Sequence, residues 1–374
     1  MKTKSIILFL LFVTANCFAS GNSEVENFKR KYTISMLDDV FSVAINPNGK
    51  QIAAGTSNGY KVFDLKTGKE LFTFWGYDER RMRFVYSPDG SQIMCPVKNE
   101  IKIWDSKTGI ELRTLSANNT SDNVSCAVYS PDGKYIAATA ATGEWFGVGV
   151  SMGDPYIRVW DVNSGQRLSD NMSDMYVGSA NFIYYSKDGK TIGASAVGTF
   201  DTPDYYSFNA ETGEKKNVPM SIFYPISPDG ESFDGVFLWD GQNNTWIYSQ
   251  SKNPKQSQWW SFSPDGLRLA RVVKPDDSYH VRLFDAKNYQ TLAEYLGNSP
   301  LSVEPKIIMY NPQGTRIFAG LADGSIKLWD STTGQEITTL NYNNIGGISS
   351  AQFSKDGNYL VIGTSNGNII LLGK

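Results

Sequence analysis

One tetrapeptide pattern constrains this chain more than any other feature. It reads Asn46-Pro47-Asn48-Gly49, Ser87-Pro88-Asp89-Gly90, Ser130-Pro131-Asp132-Gly133, Ser186-Lys187-Asp188-Gly189, Ser227-Pro228-Asp229-Gly230, Ser263-Pro264-Asp265-Gly266, Asn311-Pro312-Gln313-Gly314 and Ser354-Lys355-Asp356-Gly357. The copies recur about every 44 residues, a period that marks a propeller or a solenoid. Each copy is turn chemistry. Ser or Asn opens the turn, proline presets φ at the next position, and glycine takes the left-handed conformation that closes it.

Strands flank these turns. Apolar stretches such as Val43-Ala44-Ile45, Phe84-Val85-Tyr86 and Ile307-Ile308-Met309-Tyr310 precede them, and stretches such as Gln51-Ile52-Ala53-Ala54 and Arg316-Ile317-Phe318-Ala319 follow. A third strand ends in an aromatic plus an acid, most clearly Trp104-Asp105, Trp160-Asp161 and Trp329-Asp330. A second turn follows at Thr67-Gly68, Thr108-Gly109, Ser164-Gly165, Thr212-Gly213 and Thr333-Gly334, and then a fourth strand. Four strands per unit, two of them nearly continuously apolar, describe a blade covered on both faces.

With these residues in place, the chain resembles the WD-repeat family across residues 32–374. The resemblance implies an all-β fold, a single closed β-propeller of four-stranded antiparallel blades. WD repeats commonly carry a Gly-His pair that joins a buried His–Asp network. This chain has one histidine, His280, so the network is missing and the Trp-Asp aspartates are left as turn formers. Eight turns imply eight blades. The stretch between Gly230 and Val236 leaves little room for a second strand, and if that unit is no blade the ring has seven. The last unit stops at its third strand, Ile369 to Leu372, and Tyr32-Thr33-Ile34-Ser35-Met36 supplies the missing fourth, which removes exposed sheet edges.

Residues 1–19 read as a signal peptide: Lys2 and Lys4, the apolar run Ile6 to Val13, then small residues before Ser20. A lipid anchor on Cys17 is the alternative. It is disfavoured because Thr14 and Asn16 stand where a lipoprotein signal prefers an aliphatic and a small residue. Residues 20–31 then form a short linker, and the expected location is periplasmic or secreted, with an envelope lipoprotein as the other option. Removing Lys2 and Lys4 moves the formal net charge from −3 to −5, with 33 basic against 38 acidic side chains. That balance argues against nucleic acid and against a general anionic-membrane binder. Cys95 and Cys126 fall in strand patterns and are expected as thiols rather than a bridge. No mature stretch is apolar for long enough to span a bilayer.

In a four-stranded meander the two repeating turns share one rim of the disc. The second-to-third-strand loops and the blade-to-blade connections share the other. The long, non-repeating segments 141–155, 198–204 and 274–280 all fall on this variable rim, as does the connection 75–83. Aromatic and arginine side chains there mark a candidate partner-binding surface: Trp75, Tyr77, Arg80, Arg81, Trp145, Phe146, Phe200 and Tyr279. Trp145 and Phe146 capping the channel, and Arg80 and Arg81 solvated beside Asp78 and Glu79, are the competing readings. Trp259-Trp260 reads as core packing on a first strand.

No catalytic, cofactor-binding or metal-binding constellation is recognised; a lone histidine restricts triad and metal chemistry, and no nucleophile elbow or phosphate loop stands out. His280 beside Asp276 and Asp277 reads as solvated polar residues. The sequence therefore points to a protein- or peptide-binding scaffold. A propeller hydrolase or lyase with a channel-mouth site, and a glycan-binding module, remain the alternatives.

Overall fold

The computed structural model of the chain describes residues 28–36, 38–56, 59–75, 84–116, 122–142, 145–146, 150–151, 155–172, 179–186, 188–197, 203–214, 235–240, 245–250, 260–265, 267–274, 278–285, 290–293, 296–297, 300–301, 303–342 and 345–374. The leader, the turn Ser227–Gly230 and Trp259 lie outside these residues. The described elements are all strands. Strand β1 (Lys29–Ser35) leads. The first sheet holds β2 (Val40–Ile45), β3 (Gln51–Thr56), β4 (Gly59–Asp64) and β5 (Glu70–Trp75), and the second β6 (Val85–Tyr86), β7 (Gln92–Val97), β8 (Glu100–Asp105) and β9 (Glu111–Ser116). The third holds β10 (Asp122–Tyr129) and β11 (Tyr135–Thr142), then, after a separate hairpin of β12 (Trp145–Phe146) and β13 (Val150–Ser151), β14 (Pro155–Asp161) and β15 (Arg167–Met172). The fourth holds β16 (Ser179–Tyr185), β17 (Thr191–Val197) and β18 (Pro203–Asn209), and β19 (Gly235–Asp240) pairs with β20 (Thr245–Gln250).

Two further sheets follow: β21 (Trp260–Phe262), β22 (Arg268–Val273), β23 (His280–Asp285) and β24 (Thr291–Ala293); then β25 (Pro305–Tyr310), β26 (Arg316–Leu321), β27 (Ile326–Asp330) and β28 (Glu336–Leu340). The last sheet contains β29 (Ile348–Phe353), β30 (Tyr359–Thr364) and β31 (Asn368–Gly373), and its fourth strand is β1. Successive four-stranded antiparallel sheets of this kind are the blades of a β-propeller.

Each described interface between neighbouring sheets is apolar. Tyr60 and Val62 of the first sheet pack with Tyr86 and Ile93 of the second, and Ile103 with Val124 and Ile136 of the third. Ala137 and Ile157 meet Ile183 and Phe208 of the fourth sheet. Leu283 meets Ile308 and Ile317, Phe318 meets Phe353 and Ile370, and Val361 and Leu371 of the last sheet meet Val40 and Ile52 of the first. Trp104, Trp160 and Trp329 are all buried in these layers. The fold is thus a series of pairwise cores, each made by two adjacent blades.

The two repeating turns of a blade lie on one rim and are bonded together. Leu65 N donates to Lys50 O, Ser106 N to Ser91 O, Val162 N to Lys134 O and Ser331 N to Thr315 O, all at 2.8–3.0 Å. In the first turn the Ser87 hydroxyl donates to Asp89 at 2.6 Å and accepts Gln92 N at 2.9 Å; Ser130, Ser263 and Ser354 repeat the arrangement. In the second, Asp105 accepts both Thr108 N and its hydroxyl at 2.7 Å. Those Thr108 bonds, hydroxyl first, hold the Asp105 carboxyl below the usual carboxylate range, and Thr67 does the same for Asp64. Asn209 fills the same position in the fourth sheet, accepting Glu211 N and Thr212 N without a charge.

At three described junctions the outer strand of one sheet leans on the second turn of the next. The ring of Phe72 in β5 faces Gly109, so close that a Cβ there would meet it at 2.9 Å, and Gly109 holds φ +71°. Arg113 in β9 faces Gly165 and donates to Ser164 O and Asn163 O at 2.8 and 2.6 Å. At the junction of last and first sheets Tyr32 of β1 takes this role. Its ring faces Gly68, and its hydroxyl donates to Leu65 O at 2.7 Å. The strand pairs from Lys29 opposite Gly373 to Ser35 opposite Asn368, reaching further back than the Tyr32–Met36 stretch that the apolar pattern marks. Ladder bonds need only backbone, so the hydrophilic Lys29-Arg30-Lys31 joins the strand.

Two expectations follow. Replacing Tyr32 by alanine should destabilise the protein by about 2 kcal/mol in urea unfolding, and by phenylalanine by about 1 kcal/mol, since only the hydroxyl's bond is lost. A tyrosine that could be truncated without effect would mean that β1 closes nothing. The aspartate turns set the acid limit of stability. Their folded pKa values lie below the unfolded value of about 3.9, so their contribution is full above that pH and is lost as pH falls through the folded values. Asp105→Asn should keep the neutral-pH midpoint and flatten the acid limb, whereas Asp105→Ala should cost about 1 kcal/mol already at pH 7.

Candidate functional site

On the opposite rim the chain repeats only in part: Gly55-Thr56-Ser57-Asn58-Gly59 recurs as Gly363-Thr364-Ser365-Asn366-Gly367, while other turns and connections differ in sequence and length. In the second sheet a two-residue turn, Lys98-Asn99, joins Val97 to Glu100. Lys98 is exposed and holds φ +55°, the non-glycine residue with positive φ among those described. Its carbonyl accepts Val124 N of the third sheet at 2.7 Å, which ties the turn to the neighbouring blade. Further round, Ala322 N donates to Glu304 O and Ser365 N to Gly347 O, both at 2.9 Å, and Met36 N donates to Gly367 O at 2.7 Å. Here second-to-third-strand turns and connections are stitched into one layer.

The third sheet breaks from this economy. Its β11 and β14 stay paired up to Ala141 opposite Pro155, and the chain between them forms a second hairpin, with Trp145 opposite Ser151 and Phe146 opposite Val150. Trp145 and Phe146 are therefore neighbours on an extension that is not part of the blade's own sheet. Trp75 ends β5 opposite Gly59, at the rim end of the first sheet. The second sheet lies between these two positions, packed against the third through one core and against the first through another. Tyr77, Arg80, Arg81 and Phe200 lie outside the described residues, as do Asp276 and Asp277.

Tyr279 is half-buried and engaged with its own fold. It bridges to Leu301, whose N–H donates to the Tyr279 carbonyl at 2.7 Å, and its half-buried ring packs on the core between the β21–β24 and β25–β28 sheets. The Lys274 ammonium lies 5.2 Å from the ring centroid. Tyr279 thus fastens its loop to the following connection. His280 begins β23 opposite Val273. The cysteines are free thiols in different cores: Cys95, buried between first and second sheets, is pushed up to about 12 by that burial, and Cys126 packs toward the fourth sheet.

One feature of this rim is invisible to turn-and-strand reading. The inner strands β2, β10, β16, β25 and β29 each carry a β-bulge near the rim, leaving Phe41, Ser125, Asn181, Lys306 and Ser349 without a ladder partner. Bulges re-aim side chains. Phe41 meets Tyr60 edge to face at 6.0 Å, Lys306 pairs with Glu304 at 2.8 Å, and the Ser349 hydroxyl donates to the Val40 carbonyl of the neighbouring sheet. The only trace in the sequence is one extra residue between the connection and the turn.

Among the described residues this rim presents backbone groups, the half-buried Phe41 and Tyr279, and a hairpin separate from the blade's own sheet. Among the described residues no group of three or more His, Cys, Asp or Glu is placed to hold a metal ion, and no helix is long and apolar enough to cross a membrane.

Comparison with known proteins agrees with the blade pattern. The family model for the WD domain, G-beta repeat, matches residues 109–161 and 297–330. Actin-interacting protein 1 of Drosophila melanogaster is 23% identical over 219 residues, which are 55% of this chain and 33% of that protein. WD repeat-containing protein 82 of Drosophila melanogaster is 24% identical over 141 residues, 36% of this chain and 43% of that protein. WD repeat-containing protein 1 of Xenopus tropicalis is 24% identical over 243 residues, 64% of this chain and 31% of that protein. The chain spans less than half the length of each of these relatives, and the likenesses support a WD-repeat propeller. The match 109–161 begins at the turn before β9 and ends with β14. A sequence repeat therefore donates the outer strand of one sheet and the three inner strands of the next.

Lys98 provides a test of strain on this rim. Lys98→Gly removes the left-handed penalty and should raise unfolding stability by about 0.5–1 kcal/mol. An unchanged or lower midpoint would show that the lysine side chain itself supports the turn.

Proposed function

We propose that this chain is an exported, WD-repeat-like propeller of eight blades, closed by β1, that holds a protein or peptide partner on its variable rim. The observation that carries the reading is the division of labour between the rims. One rim is spent on repeating turns that bond blade to blade. The other bears, beside a few repeated turns, the long non-repeating loops and the Trp145–Phe146 hairpin, which no blade requires for its own sheet. Regular blades beneath non-repeating connections suit recognition, and aromatics are among the residue types that dominate binding energy at interfaces. Similarity to WD-repeat proteins supports a scaffold rather than a catalyst. Export rests on the leader-like residues 1–19.

Affinity capture from the envelope fraction of the source cells, with wild type and Trp145→Ala/Phe146→Ala side by side, tests this reading. A partner held by wild type and reduced at least tenfold by the double substitution is expected, given that hot-spot aromatics each contribute about 2 kcal/mol or more. Equal recovery by a variant with an unchanged melting curve would move the interface off this hairpin.

A further inference from the structure

Charge is unevenly spread on the repeating-turn rim. Gly373 lies opposite Lys29, so β1 enters the fold at this rim. The Tyr32 hydroxyl draws the second turn of the first sheet against β1, and Leu65 N bonded to Lys50 O brings the first turn alongside. Lys29, Lys50, Lys66, Lys69 and Lys355 lie on this rim of the first and last sheets, all exposed, and none forms a salt bridge among the described residues. Lysines on the blade faces behave differently: Lys61, Lys102 and Lys327 pair with Glu70, Glu111 and Glu336 at 2.9–3.1 Å.

The nearby acids are engaged. Asp64 is bound into its turn by Thr67 and Asp356 by Ser354, and Glu70 is held by Lys61. Arg30 lies over the Tyr342 ring at 5.6 Å, and Lys31 donates to Lys374 O at 2.8 Å.

Comparison with equivalent positions in other blades shows how this charge arises. Lys69 stands where Ile110, Gln166, Gln290 and Gln335 stand; Lys50 shares its position with Lys134 and Lys190 but with Ser91 and Thr315 elsewhere, and Lys355, like Lys187, stands where the other first turns carry proline. Asn48 replaces the aspartate found at Asp89 and Asp132. At the outer-strand bulge, Lys31 replaces the aliphatic residue found at Leu71, Leu112, Leu168, Leu292 and Ile337. Lys69 and Lys31 have no basic counterpart in the other described blades, and together with Asn48 they make the junction more positive, on a chain whose net charge is −3.

We propose that this junction is a docking surface for anionic phospholipid headgroups. The lysines sit as separate point charges on turn tips along a rim built of like turns. They form no convergent arginine fork of the kind that grips a single phosphate. A plane of many weak anions matches that spacing, and each lysine near such a surface adds to binding. Docked this way, the propeller turns its variable rim away from the bilayer. The net acidic balance that argues against a membrane binder averages over this local asymmetry.

Vesicle flotation of the full chain tests the proposal, because wild type and variant share the same leader. Wild type should partition at least tenfold better onto vesicles of phosphatidylcholine with about 30% phosphatidylglycerol than onto phosphatidylcholine alone. Lys50→Gln/Lys66→Gln/Lys69→Gln/Lys355→Gln should lose most of that preference, as should wild type in about 0.5 M salt. Lys107→Gln/Lys190→Gln, on the same rim but other blades, should keep it. The proposal is overturned if wild type shows no lipid preference, if the quadruple variant melts and partitions like wild type, or if the control variant loses as much. It is equally overturned if an acidic peptide or heparin is bound at this patch while anionic vesicles are not. None of these outcomes depends on the partner of the variable rim.

Discussion

The contact between the outer strand of one blade and the second turn of the next is what the rest of the structure depends on. A blade alone has two apolar faces and cannot be stable by itself. Its neighbour must be held at a fixed angle before those faces can close. Phe72 against Gly109 and Arg113 against Gly165 do this at the periphery, where small displacements would open the wedge-shaped cores most. On the inside the same task falls to single bonds between inner strands. Ile45 N donates to Gln352 at 2.6 Å and Tyr310 N to Ser261 at 3.0 Å, from the same position before the turn in both cases.

That requirement explains why the two rims differ. Residues whose side chains or backbone hold the next blade are not free to vary, so the turns keep Ser, Asp, Thr and Gly. Polar groups that would otherwise be stranded in the layer are absorbed into it. Buried Asn46 donates to Gln51 and to Gly90 O of the second sheet, and Gln51 donates onward to Ser106 O. The opposite rim carries fewer of these obligations, which leaves room for an inserted hairpin and a left-handed lysine.

Much of the fold was legible because its turns are encoded by few residues with narrow conformational preferences. Proline and glycine at fixed offsets, and Trp-Asp at the end of the third strand, give the blades without any knowledge of packing. The role of β1 was legible from the arithmetic of strands, because the last unit lacked one. Its full extent was not, since Lys29-Arg30-Lys31 joins through backbone bonds that leave no mark on hydropathy. The inner-strand bulges were hidden for a similar reason: a single residue between a connection and a turn is indistinguishable from loop length. Of the candidate surface, the sequence marked aromatic positions by residue type; that the half-buried ring of Tyr279 also packs on the core between two blades depends on contacts that residue type does not reveal.

The offset between sequence repeat and sheet has a consequence for the order of folding. Every repeat hands its first strand to the preceding blade, and the first repeat hands β1 to the last. Lys29 must therefore find Gly373, across nearly the whole chain, before the final blade has its outer edge. Loop-closure entropy makes such a contact late. While the chain emerges from a ribosome or a translocation pore, β1 waits unpaired and the growing arc presents a bare edge at its leading end. Its lysines are suited to that interval, because a charged strand resists pairing with the wrong neighbour until the right one has been made.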